Sequence, residues 1–135
     1  MFFKKSKNGN EELVKICALL IHAAKIDENY SYEEKNIIKR TLISFTKNKE
    51  DINDILEKAE RKEANSNQIL EFTKEVKNMS HENKIKIVES LWKIIYSNKE
   101  ADIYETGLMR KLAGLLYIDS KTMGIIKEKI KKEIS

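Results

Sequence analysis

The chain has 135 residues, a size that fits one domain with its own buried core. It carries 26 basic and 22 acidic residues, for a net charge of +4 at neutral pH. Both signs are interleaved along the whole chain, which is typical of solvated helix faces rather than of one concentrated basic surface. We therefore expect no nucleic-acid partner.

The N-terminal residues and the single cysteine bear on location. A secretory signal needs about 7–15 consecutive apolar residues, whereas Phe2 and Phe3 are followed at once by lysines. No apolar run approaches the roughly 20 residues of a transmembrane helix. Cys17 lies in an apolar run and is expected to be a buried core thiol. These features predict a cytoplasmic protein whose flexible basic tail, residues 1–10, makes at most weak contact with a membrane.

The apolar pattern predicts helices throughout the remaining chain, residues 11–135, which we treat as one domain. Apolar residues recur every three or four positions, proline is absent and no sustained alternation of period two occurs. The connections between the apolar segments are short, which favours a compact seven-helix, all-α bundle. The predicted helices begin, in chain order, near Glu11, after Ser31, at Asp51, after Asn65 or Ser66, after Ser80, at Asp102, and at Asp119 or Ser120.

One segment occurs twice in related form. Residues 27–34 are echoed by residues 98–105, and each copy follows one apolar helical run and opens another. The apolar positions of the flanking helices also agree between the two copies. The repeat predicts two pseudo-symmetric helical hairpins, with acidic linkers as the recurring polar feature.

Both linkers carry a helix-capping pattern. Ser31 with Glu34, and Asp102 with Glu105, have the spacing of a capping box. In such a box the first side chain accepts from the backbone N–H of the later residue, whose Glu side chain returns a bond to the N–H of the cap. Capping therefore explains these four positions without any ligand.

Asp27 and Asn98 open the two linkers and are less easily explained. A helix C-terminus disfavours an anion, although Asn and, less readily, Asp can adopt the left-handed cap conformation. Carboxylate and amide oxygens are also the ligands that Ca²⁺ and Mg²⁺ prefer. Two alternatives remain open: helix caps, or a weak divalent-cation (Ca or Mg) site. The candidate metal ligands are Asp27, Glu34, Asn98 and Glu105.

The opening of the first linker is similar to the first half of an EF-hand loop. However, Tyr32 stands where that loop requires glycine, and Ile38 stands where it requires a bidentate Glu. An EF-hand is therefore excluded.

No other motif in the sequence indicates catalysis. The chain contains no nucleophile elbow, phosphate-binding glycine loop, dinucleotide fingerprint or zinc-protease motif. We therefore expect a non-enzymatic protein with no catalytic residue, and an enzyme that uses the acidic linkers is the least favoured alternative. The main alternative is a helical scaffold that binds a protein partner or a membrane surface without metal. That alternative predicts an exposed Trp92 or Phe72, although the apolar stripe around Trp92 favours a core position.

Several stretches resemble the TerB-like family, which is named for tellurite resistance. The segment from Glu89 to Asn98, continued by Asp102 to Glu105, resembles the second half of these proteins, and residues 110–118 resemble the stretch that follows. Residues 24–27, with Glu34 downstream, resemble the first half. The resemblance covers roughly residues 11–130.

The resemblance implies a seven-helix fold with two pseudo-symmetric hairpins and a non-enzymatic interaction or sensor module linked to stress or tellurite resistance. It also implies that acidic residues thought to bind metal correspond to Asp27, Glu34 and Glu105. The chain departs from the pattern at Asn98, where a second Asp is expected, and Lys99 replaces a glycine. Both departures predict weakened cation affinity.

Overall fold

The backbone of the computed structural model is described over residues 7–26, 30–46, 48–66, 69–98 and 103–134, and it contains no strand there. Side chains are described over residues 11–26, 30–46, 48–66, 69–97 and 106–134. The α-helices of these ranges are α1 (Lys7–Ala24), α2 (Tyr32–Phe45), α3 (Ile52–Ala64), α4 (Leu70–Lys77), α5 (His81–Ile95), α6 (Ile103–Leu115) and α7 (Ser120–Ile134). Short 3₁₀ turns, Lys49–Asp51 and Tyr96–Asn98, precede α3 and follow α5. The predicted all-α, seven-helix bundle is confirmed.

Two helix starts differ from the sequence prediction by more than one residue. Helix α1 begins at Lys7 rather than near Glu11, so helical backbone extends one turn beyond the apolar stripe. Each residue added to an existing helix gains a backbone hydrogen bond, so such extension costs little. Helix α4 begins at Leu70 with Ile69 as its N-cap, and Asn65 caps the C-terminus of α3 instead. Asn suits both kinds of helix end, which the sequence pattern does not distinguish.

Helix α1 is the centre of the bundle. It packs against α2, α3, α4 and α5, and it is apolar around most of its circumference. Leu19, Leu20 and Ile21 are consecutive residues with no exposed surface, so α1 has no solvent face at that level. A helix that is apolar all round is stable only when neighbours cover every side. The neighbours of α1 provide that cover.

Helix α5 holds the corresponding position in the second half. The repeat pairs Cys17 with Val88 and Leu20 with Leu91, and all four side chains are buried. In the first half α1 packs most extensively on α3, and in the second half α5 packs most extensively on α7. The two halves therefore share both their core positions and the pairing of their first and third helices.

Within the described ranges, none of the helices has the length and apolar character needed to cross a membrane.

Candidate functional site

The first acidic linker, residues 27–34, ends in the first turn of α2. Ser31 is the N-cap, and its hydroxyl accepts from the Glu34 backbone N–H at 3.2 Å. The Glu34 carboxylate accepts from the Ser31 backbone N–H at 2.7 Å. Glu34 is only 4% exposed. The predicted capping box is confirmed, and Glu34 has a structural role whether or not it also meets a ligand.

Helix α3 brings two further carboxylates to this linker. Glu63 is paired with Lys25, at 2.8 Å, and lies 3.4 Å from the Nδ1 atom of His22. Glu60 is paired with Lys35 at 3.2 Å. The last turn of α1 and the first turn of α2 are therefore both tied to α3, on either side of residues 27–29.

Glu60 and Glu63 were not selected from the sequence, although a signal for them exists. They lie in a run of mixed charges, a pattern that is typical of a solvated helix face. However, the apolar stripe of α3 contains Leu56 and Ala59, and Glu60 and Glu63 continue it at the next helical spacings. The Glu63 side chain is accordingly only 11% exposed. A carboxylate that continues an apolar stripe can therefore be identified as partly buried even in a charged segment.

Glu60 also affects two ionisable groups, the Cys17 thiol of α1 and the Tyr30 phenol of the first linker. Burial raises the pKa of the Cys17 thiol, and the charge of Glu60 raises it further. Burial likewise raises the pKa of the Tyr30 phenol, and Glu60 again adds to the shift. The Lys35 ammonium lies 5.5 Å from the centroid of the Tyr30 ring. Both groups stay protonated at neutral pH, so Cys17 is the buried core thiol that its apolar neighbours predicted and not a nucleophile.

The four predicted metal ligands are not all described. Asp27 lies outside the described residues. Asn98 ends the 3₁₀ turn after α5 and Glu105 lies in the first turn of α6, but both side chains are outside the described ranges. Among the side chains that are described, no group of three His, Cys, Asp or Glu residues is placed to hold a metal ion. The cation site therefore stays a prediction.

The end of α5, which leads into the second linker, is held by an aromatic cluster. The Trp92 indole N–H points at the Met123 sulfur at 3.3 Å, and its ring stacks on Tyr96 with centroids 5.8 Å apart. Trp92 is 3% exposed and Phe72 is 1% exposed. The predicted core position of Trp92 is confirmed. The exposed aromatic surface that the scaffold alternative requires is not found at either residue.

The fold defines the class of protein first: an all-α bundle of two related halves, in which the first two helices of each half are connected by one of the repeated linkers. A family model described as "Tellurite resistance protein TerB" matches residues 13–128, which is most of the chain. The chain therefore belongs to the TerB family, as its resemblance around Trp92 indicated. Comparison with curated proteins and with solved structures finds no match.

Proposed function

We propose that this TerB-family chain is a non-enzymatic interaction or sensor module in a stress or tellurite response. Its functional surface is the pair of acidic linkers. They bind a divalent cation weakly or present a negative surface to a protein partner, and no nucleic acid is involved. One observation carries the proposal. Glu60 and Glu63 add two carboxylates beside the first linker, where the sequence already supplies Asp27 and Glu34.

The ion pairs of these carboxylates give the proposal a physical mechanism. Carboxylates beside one linker favour a divalent cation or a basic side chain as a counter-charge. Without a ligand, Lys25 and Lys35 partly neutralise Glu63 and Glu60. An incoming cation, or a basic side chain of a partner, has to compete with these two lysines. Competition of this kind explains weak binding, and it gives the module two states, one with internal ion pairs and one with the ligand.

The proposal is tested by the effect of ions on thermal stability. A ligand that binds only the folded state raises its stability, and Ca²⁺ or Mg²⁺ should do so here. The double variant Asp27→Asn/Glu105→Gln should lose this ion-dependent gain. A matched control, Glu57→Gln/Glu82→Gln, removes the same charge from exposed positions on α3 and α5 and should keep it. An equal gain in both double variants would dispose of the linker site.

The link to a stress or tellurite response is tested separately, in cells that depend on this chain for growth on tellurite. The linker variant should lose that growth while the control variant keeps it. Growth that does not depend on the chain at all would contradict this part of the proposal.

A further inference from the structure

A groove lies between α2 and α5, away from the acidic linkers. The two helices pack together and leave a cavity of about 250 Å³. Arg40 and Thr41 line it from α2, and Lys86, Ser90 and Lys93 line it from α5. On each helix the lining residues have spacings of three, four and seven, so they share one face. The groove is therefore built from two complete helix faces.

The floor of the groove is polar and closely packed. The Thr41 and Ser90 hydroxyl oxygens lie 2.6 Å apart, and both residues are buried. Thr41 also reaches the Ile37 carbonyl at 2.9 Å, and Ser90 reaches the Lys86 carbonyl at 3.0 Å. Two hydroxyl protons serve three acceptors, so one hydroxyl donates to the other and the second donates to its own helix. This satisfied floor leaves recognition of a ligand to the rim.

The rim carries an excess of positive charge. Arg40, Lys86 and Lys93 line the groove, and none of them is ion-paired with an acidic side chain of the described ranges. Glu89 is the one carboxylate of the lining, and Lys129 of α7 pairs with it at 2.6 Å. The Glu89 charge is thus largely offset from outside the groove. The described lining of the groove therefore carries a net positive charge.

Lys86 is also held in place. Its ammonium lies 5.8 Å from the centroid of the Phe45 ring, a distance at which the ring attracts the cation. Because this contact already restricts the lysine side chain, less side-chain entropy is lost when a ligand binds the ammonium.

We infer that the groove between α2 and α5 binds a small, doubly charged oxyanion of the phosphate class through Arg40, Lys86 and Lys93. A guanidinium matches two oxygens of such an anion at once, and each lysine adds a point charge. A cavity of about 250 Å³ accommodates one such group but is smaller than a typical pocket for a drug-sized ligand.

The inference is tested by amide NMR on the full chain. Sodium phosphate is added at a pH where the dianion dominates, with ionic strength held constant by sodium chloride. Saturable shifts confined to residues 37–44 and 86–93 are expected. Shifts that grow linearly with phosphate and spread over the surface would overturn the inference, because they indicate charge screening only.

Two double variants distinguish phosphate binding in the groove from a general effect of the protein's net charge. Arg40→Gln/Lys93→Gln should weaken phosphate binding by about tenfold or more, since each lost contact is a charge-assisted hydrogen bond. Lys74→Gln/Lys111→Gln removes the same charge from exposed positions on α4 and α6 and should leave binding unchanged. Equal weakening in the two proteins would overturn the inference.

A pair of single variants tests whether removing an acidic side chain from the groove tightens phosphate binding. Glu89→Gln removes the carboxylate of the groove and releases Lys129, so it should tighten phosphate binding. Glu71→Gln also removes an acid paired with a lysine, Lys62 at 3.1 Å, but outside the groove. It should have no comparable effect, and equal tightening by both would contradict a local site.

A vesicle arm distinguishes the source of the oxyanion. If the oxyanion is a lipid headgroup, vesicles that carry a phosphomonoester lipid should bind the protein, and inorganic phosphate should displace them. If the natural ligand is free in solution, these vesicles should not bind. Vesicle binding that phosphate does not displace, and that Arg40→Gln/Lys93→Gln leaves unchanged, would overturn the assignment to this groove.

Discussion

The buried thiol of Cys17 predicts a specific loss of stability at alkaline pH. Cys17 has no exposed surface, and burial, followed by the charge of Glu60, raises the pKa of its thiol far above the ordinary range. In the unfolded chain the thiol ionises at about pH 8.5, whereas the folded protein keeps it protonated. A group with a raised folded-state pKa contributes its full stability below the unfolded pKa. It loses that contribution as the pH rises towards the folded value.

The magnitude follows from proton linkage. Above the unfolded pKa, each pH unit lowers the free energy of unfolding by about 1.4 kcal/mol for one such group. Raising the pH from about 8.5 to about 10 should therefore lower the free energy of unfolding by about 2 kcal/mol through Cys17 alone. Tyr30 adds to the loss only above its own unfolded pKa, which is about 10.

Urea unfolding of the wild type and of Cys17→Ala, in reductant and at a series of pH values, measures this difference. The variant loses some packing at every pH, so the comparison is made on the slope and not on the absolute stability. The wild type should lose about 2 kcal/mol more than the variant between neutral pH and about pH 10. Parallel pH profiles would refute the reasoning. Thiol-specific reagents give a second measure, because they should modify Cys17 only at the rate at which the protein opens.

Three further predictions concern stability and are measured by urea unfolding at neutral pH. Thr41→Val and Ser90→Ala should each cost about 1 kcal/mol and the double variant little more, because each hydroxyl pairs with the other; additive losses would contradict the pairing. Ser31→Ala should cost about 1 kcal/mol because it removes the α2 cap, and an unchanged stability would show that the cap contributes nothing. Leu20→Ala should cost about 2–5 kcal/mol, whereas Leu70→Ala, at a half-exposed position, should cost far less; similar costs would contradict the central position of α1.

The overall fold could be predicted from the sequence because its evidence is local. Apolar spacing identifies each helix, and the Ser31–Glu34 spacing identifies a cap that the structure contains. Helix ends were less accessible, because an Asn such as Asn65 caps either end of a helix. The start of α1 was missed for a related reason, since apolar spacing does not mark where the backbone becomes helical.

The surroundings of the first linker were harder to predict, because they depend on contacts distant in sequence. Glu60 and Glu63 meet partners on α1 and α2 only after α3 has packed across them. The same holds for the groove at Arg40 and Lys93, whose two faces come from helices far apart in the chain. Charge patterns along a single helix do not reveal which charges a neighbouring helix will compensate.

Amide NMR titration of the full chain with Ca²⁺, Mg²⁺ and Zn²⁺ is the most direct test of the proposed function. The account predicts saturable shifts confined to residues 27–34 and 98–105, together with Glu60 and Glu63 on α3. Because the cation competes with Lys25 and Lys35, these shifts should saturate only at high ion concentration. No shift at millimolar ion would contradict a cation site and reduce the two linkers to helix caps.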